Sequence, residues 1–254
     1  MARIFVTGST TGLGLMAART LLSAGHEVIF HARNAFRADT LKQNLSDVAD
    51  IVTGDISTVS GALDVADQVN ALGAPDAVIH NAGLGADTGL TLTSDGIPDL
   101  FGVNVLAPYI LTASIQGPKR LVYLSSDMHF VTPDLDDMLW RRRNWSGYSA
   151  YSESKFLVTA LAFAVARLRP DTRSNAVDPG WVPTRMGGRS APDDLEQGTK
   201  TQAALAAGAP RQLEKLSGEF LYHMGVRQPQ CGTRETDIQT RLLEQCQALS
   251  GIRL

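Results

Sequence analysis

The first 25 residues contain a strand, a glycine-rich turn and a helix in direct succession, which limits the fold more than any other part of the sequence. Residues 3–7 form a β-rich run, Gly8, Gly12 and Gly14 follow it, and apolar residues then recur at helical spacing as far as Gly25. Such a turn lets backbone N–H groups and the positive end of a helix approach a pyrophosphate. The spacing is Gly-x-x-x-Gly-x-Gly rather than Gly-x-Gly-x-x-Gly, but its place between strand and helix favours a dinucleotide site over a plain turn.

Strand and helix patterns alternate along the rest of the chain. Further strands are predicted at 27–31, 50–53, 76–80, 120–124, 174–177 and 219–223. Repeated alternation predicts a parallel sheet with right-handed crossovers and helices on both faces. We therefore predict an α/β fold, a single Rossmann-like, doubly wound parallel sheet of about seven strands in one domain over residues 1–254.

Two long connections and two helices carry more specific expectations. Segments 127–147 and 183–197 lie at the ligand edge of the predicted sheet, and we expect both to act as lids. The helix over 97–115 is predicted to be interrupted at Pro108. Thr236 is predicted to cap the last helix, which Gly251 ends.

Composition narrows the class of partner. The net charge is −3 and charged residues make up 19% of the chain, so neither a nucleic-acid groove nor a disordered tail is expected. Cys231 and Cys246 are too few for a disulfide framework or a metal cage, and no metal site is predicted. A strand pattern begins at Arg3, and every long apolar run is broken by a charge, a Pro or several Gly residues. We expect a cytoplasmic protein that binds small molecules.

The residues after the second strand indicate which dinucleotide is bound. An acidic side chain there would bind the 2′-hydroxyl of NAD, whereas an arginine accommodates the 2′-phosphate of NADP. This chain has Ala32, Arg33 and Asn34, so NADP(H) is predicted over NAD(H), although Arg33 could also be an ordinary surface charge. Asp55-Ile56 and Asn81-Ala82-Gly83 follow the third and fourth strands, where adenine and ribose contacts are needed.

Tyr151 and Lys155 are the candidate catalytic pair. Residues four apart share a helix face, and a nearby cation favours the phenolate and lowers the pKa of a tyrosine from about 10. Tyr151 is thus a candidate general acid/base, and the alternative is a ring packed under a lysine stem. Tyr148 is not a candidate, because Ser152 stands four residues after it.

Other polar residues at the same edge have two readings each. Asn104 could reach the site or cross-link local backbone. Ser125 and Ser126 end a strand, where serines are often turn formers. The arginine triplet at 141–143 favours a solvated patch over an anion site.

Together these motifs resemble the short-chain dehydrogenase/reductase family over nearly the whole chain. Residues 7–14 look like its cofactor turn, 81–83 like its NAG motif and 151–155 like its YxxxK motif, while 178–180 sit at its PG motif. The resemblance implies a catalytic tetrad of Asn104, Ser126, Tyr151 and Lys155. It implies that Lys155 also holds the nicotinamide ribose, that Asn104 fixes a water and that Thr184 contacts the carboxamide. The residues expected at the cofactor are Gly8, Ser9, Thr10, Thr11, Gly12, Leu13, Gly14, Arg33, Asn34, Asp55, Ile56, Asn81, Ala82, Gly83, Tyr151, Lys155, Pro179, Gly180, Val182 and Thr184.

The substrate side is less defined. The gap from Ser126 to Tyr151 is wider than in most members and resembles the retinol dehydrogenase and protochlorophyllide reductase-like branch. We predict that His129, Phe130 and Trp181 join Ser126 in the substrate pocket, although each of the three could instead be core or loop packing.

The function expected from this resemblance is NADP(H)-dependent interconversion of an apolar alcohol and its ketone or aldehyde. One alternative is a protein that senses or scaffolds through NADP(H) without turnover, and another is a carbon–carbon double-bond reductase. Residues 156–168 and 100–111 are apolar nearly all round, which favours a homodimer or homotetramer. The alternative is a monomer whose lid and last helix cover those faces.

Overall fold

One sheet organises the computed structural model, which describes residues 1–45 and 48–254. In the described residues it has eight strands in the order β3-β2-β1-β4-β5-β6-β7-β8. Pairing is parallel from β1 to β7 and antiparallel between β7 and β8. The strands are β1 (Arg3–Val6), β2 (Glu27–Ala32), β3 (Asp50–Thr53), β4 (Ala77–His80), β5 (Arg120–Leu124), β6 (Arg173–Asp178), β7 (Phe220–Tyr222) and β8 (Gly225–Arg227). The predicted doubly wound α/β fold is confirmed, with one strand more than expected.

The extra strand is too short to show in the alternation pattern. Residues of β8 return along β7 through a two-residue turn at His223 and Met224, whose φ angles are 45° and 68°. Both are positive, as the tightest hairpin turns require, yet neither residue is the Gly or Asn that usually marks such a turn. The usual sequence signal for this hairpin is therefore missing.

Helices cover both faces of the sheet. One buried cluster joins the sheet to α3, α5, α6 and α9, and a second joins the opposite face to α1 and α7. The helices are α1 (Gly12–Ser23), α2 (Ala35–Asn44), α3 (Val59–Ala71), α4 (Asp99–Phe101), α5 (Ala107–Ser114), α6 (Gly147–Leu168), α7 (Leu195–Ala207), α8 (Arg211–Glu214) and α9 (Thr236–Ser250). The strand order changes direction between β1 and β4, and ligands of such sheets bind beyond the carboxyl ends of the strands at that switch point.

The helical stretch over 99–114 differs from its prediction. It is not broken at Pro108, because a π-helical turn over Gly102–Leu106 links α4 directly to α5. A proline has no N–H to give to the carbonyl four residues before it, here that of Asn104. The wider turn accommodates the proline within a continuous helix and brings Asn104 into the irregular part, where π turns often mark functional sites.

The segment over 127–147 is fixed to α6 by a partly buried ion pair. Arg143 donates to both carboxylate oxygens of Glu153, at 2.7 and 3.0 Å, and to Asp137 at 3.3 Å. Its guanidinium also lies 3.9 Å from the centre of the Trp140 ring. Arg143 therefore belongs neither to a solvated patch nor to an anion site, the two readings of the triplet.

Chain segments near the C-terminus cover the apolar side of α6. Residues of α6 from Ala150 to Val165 are all buried within this single chain. Leu242 and Cys246 of α9 pack into the same cluster, and the Tyr109 hydroxyl donates to the Ile252 carbonyl at 2.7 Å.

The sequence-based predictions for the two ends of α9 differ in accuracy. Gly251 ends the helix with φ 73°, as predicted. The prediction for Thr236 is wrong, because Glu235 occupies the N-cap position and Thr236 is the first helical residue. Separately, no helix within residues 1–45 and 48–254 is long and apolar enough to cross a membrane.

Candidate functional site

The glycine turn forms a cradle at the switch point of the sheet. Gly8 and Gly12 have φ angles of 63° and 57°, which L side chains rarely adopt. A Cβ on Gly14 would collide with the Asn81 amide and the Gly8 carbonyl. Thr11 caps α1 only with its backbone, and the first turn of α1 carries no acidic residue. The first N–H groups of a helix have no partner within the helix, and with no side chain in the way they fit a pyrophosphate.

Side chains of β1 and the segment after β4 fix the shape of this turn. The Asn81 amide donates to the Thr7 and Gly8 carbonyls at 2.9 and 3.4 Å. The Thr7 hydroxyl accepts from the backbone N–H groups of Asn81 and Ala82 at 2.9 and 3.0 Å. Asn81 thus supports the turn through its side chain, which is engaged with backbone rather than free for adenine.

The residues predicted at the adenosine end follow β2 and β3, but their side chains differ in exposure and in the hydrogen bonds that they already make. Arg33 is exposed just after β2. The Asn34 side chain accepts from the Arg37 N–H at 3.1 Å and caps α2. After β3, Asp55 is exposed and its carboxylate accepts from the Ser57 N–H at 3.1 Å, whereas Ile56 is buried. Arg33 is exposed, and no residue within 1–45 or 48–254 forms an ion pair with its side chain.

Tyr151 and Lys155 lie one turn apart on α6, and both side chains are buried. The Lys155 Nζ is 5.5 Å from the centre of the Tyr151 ring and donates to the Leu124 carbonyl at 2.8 Å. A Cβ on Gly83 would lie 3.6 Å from the same Nζ. The ammonium therefore sits between the phenol and the segment that follows β4.

The pKa of Tyr151 is raised, so the lowering expected from Lys155 does not dominate. Burial raises the pKa of Tyr151 to about 12, and the Asp178 and Asp127 carboxylates add to the rise, while a hydrogen bond with Ser126 opposes it. Burial also lowers the pKa of Lys155 to about 8, against the attraction of Asp178. Tyr151 keeps its proton across the neutral range, as a proton donor must.

The two serines after β5 have different surroundings. Ser125 is buried, and its hydroxyl contacts the Thr159 hydroxyl at 2.6 Å and the Lys155 carbonyl at 3.2 Å. Ser126 is partly exposed, and its Oγ donates to the Asp127 carboxylate at 3.3 Å and accepts from the Met128 N–H at 3.2 Å. Its hydroxyl is close enough to the Tyr151 phenol to oppose the rise in the pKa of that group. The structure thus brings Ser126, rather than Ser125, to the phenol.

Asn104 cross-links the site through its whole amide. Its Oδ1 accepts from the Leu84 N–H at 2.8 Å, and its Nδ2 donates to the Leu84 carbonyl at 3.1 Å and the Ser154 hydroxyl at 2.9 Å. This matches the cross-linking alternative for the side chain. Ser154 was missed at the sequence level, although it lies three residues after Tyr151.

A carboxylate at the end of β6 was also missed. Asp178 is buried, and its Oδ1 accepts from the Gly180 N–H at 2.9 Å. Burial raises the pKa of Asp178 to about 6, and Asp127 adds to the rise, while hydrogen bonds from the Gly180 and Asp127 backbones and the charge of Arg227 oppose it. The sequence signal was available, since an acidic residue directly precedes Pro179-Gly180.

The segment after β6 passes over the glycine turn. Gly180 has a φ of 82°, and Val182 is buried. A Cβ on Gly12 would lie 3.8 Å from the Thr184 methyl group. The Thr184 hydroxyl accepts from the Gly187 N–H at 3.1 Å, which steadies the segment beside the cradle.

The three predicted wall residues separate into two groups. His129 is buried, its Nδ1 contacts the Ser126 carbonyl at 2.6 Å, and its Nε2 accepts from the Gln230 N–H at 3.0 Å. Its ring braces the loop, which matches the loop-packing alternative for His129. Phe130 is 51% exposed and Trp181 is 57% exposed, which leaves both rings accessible.

Comparisons with known proteins point the same way as this geometry. A family model described as short chain dehydrogenase matches residues 2–117. The chain is similar to the short-chain dehydrogenase chry4 of Gibberella zeae, with 40% identity over 260 residues, 100% of this chain and 99% of that protein. It is 30% identical to the polyprenol dehydrogenase of Mus musculus over 281 residues, 97% of this chain and 83% of that protein. The solved structure of an uncharacterized protein from Mycobacterium Paratuberculosis superposes with a TM-score of 0.83 at 23% identity, covering 100% of this chain and 94% of that one.

Proposed function

Since this chain belongs to the short-chain dehydrogenase family, whose members are oxidoreductases acting on small molecules, we propose that it interconverts an apolar alcohol and its ketone or aldehyde with NADP(H). The observation that carries the proposal is the meeting of the Tyr151 phenol, the Ser126 hydroxyl and the Lys155 ammonium, with Lys155 beside Gly83 after β4. Ser126 follows β5 whereas Tyr151 and Lys155 lie on α6, and a protein that only binds nucleotide needs neither hydroxyl.

The chemistry assigned to each side chain follows from charge. When bound, the nicotinamide supplies or accepts the hydride. During reduction the substrate oxygen becomes alkoxide-like and must be stabilised and protonated. Tyr151 donates that proton, and Ser126 hydrogen-bonds the oxygen. A phenol that keeps its proton to about pH 12 suits this direction.

Lys155 and Asn104 support the phenol. Lys155 holds the nicotinamide ribose hydroxyls and keeps a positive charge near Tyr151. Asn104 fixes the water that returns a proton to the site. Its side-chain amide is already hydrogen-bonded, so the water binds to its backbone carbonyl, to which Pro108 has no N–H to donate. Thr184 contacts the carboxamide from the segment over the turn.

The apolar character of the substrate rests on two exposed aromatic rings and on a similar protein. Exposed Phe130 and Trp181 rings flank the segments that carry Ser126 and Gly180. The similar mouse protein is named for polyprenol, an apolar alcohol. The anchored segment over 127–147 then serves as a fixed wall, and the segment over 183–197 is the proposed lid.

A screen of aldehydes, ketones and enones for NADPH oxidation tests the proposal against its two alternatives. We expect turnover of apolar carbonyl compounds. Turnover of enones alone would favour a carbon–carbon double-bond reductase. NADPH binding without turnover of any class would favour the sensing or scaffolding role.

Replacing Arg33 with alanine tests the cofactor preference. Loss of a charge-assisted contact to a 2′-phosphate is expected to weaken NADPH binding by about 10- to 100-fold and to leave NADH binding unchanged. Titration calorimetry with both nucleotides measures the difference. Lys42→Ala is the matched control and should change neither affinity, because Lys42 lies in the last turn of α2, the helix that begins just after Arg33. Equal losses for NADPH and NADH would contradict a phosphate contact.

The association state also follows from burial. The resemblance implies a homodimer or homotetramer, but α9 and the last residues cover the apolar side of α6 within one chain, which supports the monomer alternative. We expect sedimentation equilibrium at micromolar concentration to give the mass of one chain, unchanged after tenfold dilution. A dimer mass that falls on dilution would favour the pairing implied by the resemblance.

A further inference from the structure

A buried histidine connects the two ends of the proposed nucleotide site. His31 lies in β2, next to its last residue, and its side chain is almost fully buried. Its Nδ1 lies 3.0 Å from the Gly8 N–H, and its Nε2 lies 2.9 Å from the Gly54 carbonyl. Gly8 begins the glycine turn, and Gly54 begins the segment that continues into Asp55 and Ile56.

The two partners determine the tautomer of the ring. An amide N–H can only donate, so Nδ1 must carry the lone pair. A carbonyl oxygen can only accept, so Nε2 must carry the hydrogen. The ring therefore has to be neutral with its proton on Nε2, because the charged form has no acceptor for Gly8.

The backbone of His31 makes the same connection. Its N–H donates to the Ser9 hydroxyl at 2.9 Å, and its carbonyl accepts from the Ser9 N–H at 3.2 Å. The next carbonyl, that of Ala32, accepts from the Gly54 N–H at 3.1 Å. Ser9 is fully buried, and its hydroxyl is hydrogen-bonded to the His31 backbone. This hydroxyl therefore supports the turn, although it was predicted to contact the cofactor.

The surroundings keep the ring neutral. The edge of Phe5 packs against it, and Asp55 is the charged group that faces it. Burial lowers the pKa of His31, although the Gly54 carbonyl and the charge of Asp55 act in the opposite sense. Near neutral pH both ring hydrogen bonds persist.

We propose that His31 is a positioning residue that sets the distance between the phosphate cradle at Gly8 and the adenosine segment at Gly54–Asp55. Gly8 has to hold a left-handed φ of 63° while Ala82 packs against its other side. A ring bonded at both nitrogens removes the freedom of the turn to move away from the segment after β3. Binding a dinucleotide then costs less ordering, since its two contact regions are already in register. The inference rests on the proposed nucleotide site.

Three substitutions separate the two ring contacts. His31→Phe keeps a ring but removes both hydrogen bonds, His31→Asn keeps an acceptor near Nδ1 for Gly8, and His31→Gln keeps a donor near Nε2 for Gly54. We expect His31→Phe to raise the Kd and the KM for NADPH about tenfold, with kcat at saturating NADPH changed less than about twofold. His31→Asn and His31→Gln should each recover part of the loss. His80→Phe is the matched control, because His80 is equally buried at the end of β4 but bonds to Thr112, away from the turn.

A nitrogen-15 NMR spectrum of the imidazole rings gives a readout independent of nucleotide. His31 is expected to show the Nε2–H tautomer and to remain neutral at pH 6.5. The other tautomer, or unchanged NADPH affinity in His31→Phe, would overturn the inference. An equal rise in KM for His80→Phe would also overturn it, since general destabilisation would then explain the effect. Failure of the unsubstituted chain to bind any nicotinamide nucleotide would refute the proposed function and this inference with it, whereas failure of the His31 variants alone leaves the function standing.

Discussion

Tyr151→Phe is expected to lower kcat/KM for carbonyl reduction by about 10³-fold or more, because the variant has no proton to give to the developing alkoxide. The ring and its packing stay in place, so NADPH affinity should change little. Ser126 is partly exposed, and water can replace the lost hydrogen bond, so the free energy of unfolding should move by less than about 1 kcal/mol. Steady-state kinetics together with NADPH titration measure both quantities.

The pH dependence sharpens this expectation. The pKa of Tyr151 is raised to about 12, so the unsubstituted chain holds the phenolic proton throughout the neutral range. The factor lost in Tyr151→Phe should therefore be the same at pH 6 and at pH 8. Tyr148→Phe removes a hydroxyl from the same helix one turn earlier, where the side chain is exposed, and serves as the control. Turnover of Tyr151→Phe at the level of the control would remove Tyr151 from the mechanism.

Patterns local in the chain predicted most of the fold. The strands at 50–53 and 120–124 have the predicted bounds, because each is an unbroken β-rich run between polar residues. The hairpin strand β8 was missed, since its turn uses His223 and Met224 at positive φ. The π turn before Pro108 was missed because periodicity does not distinguish a widened helix from a broken one.

Properties of the site that depend on distant segments could not be predicted. Spacing alone suggested that Lys155 would lower the pKa of Tyr151, but burial in the folded chain raises it. The Asp178 and Asp127 carboxylates, which end β6 and follow β5, add to that rise. Arg143 likewise pairs with Glu153, ten residues later in the chain, and no spacing of charges in the sequence indicates that pair. The convergence of the motif residues could be expected, because the carboxyl ends of parallel strands meet at one edge of the sheet.

Lys155→Met is expected to abolish reduction and to make the protein more stable. Burial lowers the pKa of Lys155 to about 8, compared with about 10.4 in an unfolded chain. A group whose folded pKa is depressed binds fewer protons in the folded state, so the free energy of unfolding rises with pH between those two values. At pH 7 the full cost of the buried charge is present, about 3 kcal/mol.

Methionine removes that cost and fills a similar volume. The Leu124 carbonyl loses its 2.8 Å contact with Nζ, and this loss offsets about 1 kcal/mol of the stability gained. The net gain of about 2 kcal/mol should raise Tm by roughly 4 to 8 °C at pH 7. The advantage over the unsubstituted chain should shrink as the pH rises from 8 to 10, because Lys155 then loses its charge in the folded state. Differential scanning calorimetry across this range measures the change.

Lys200→Met is the control for the stability measurement, since Lys200 is exposed on α7 and its replacement should alter Tm little. A Lys155→Met protein less stable than the original at pH 7 would mean that the buried ammonium stabilises the fold, contrary to its lowered pKa. The expected combination, a more stable protein with no turnover, is what a charge retained for chemistry produces. The same burial that makes Lys155 costly to the fold places an ammonium beside Tyr151, where a short-chain dehydrogenase needs it.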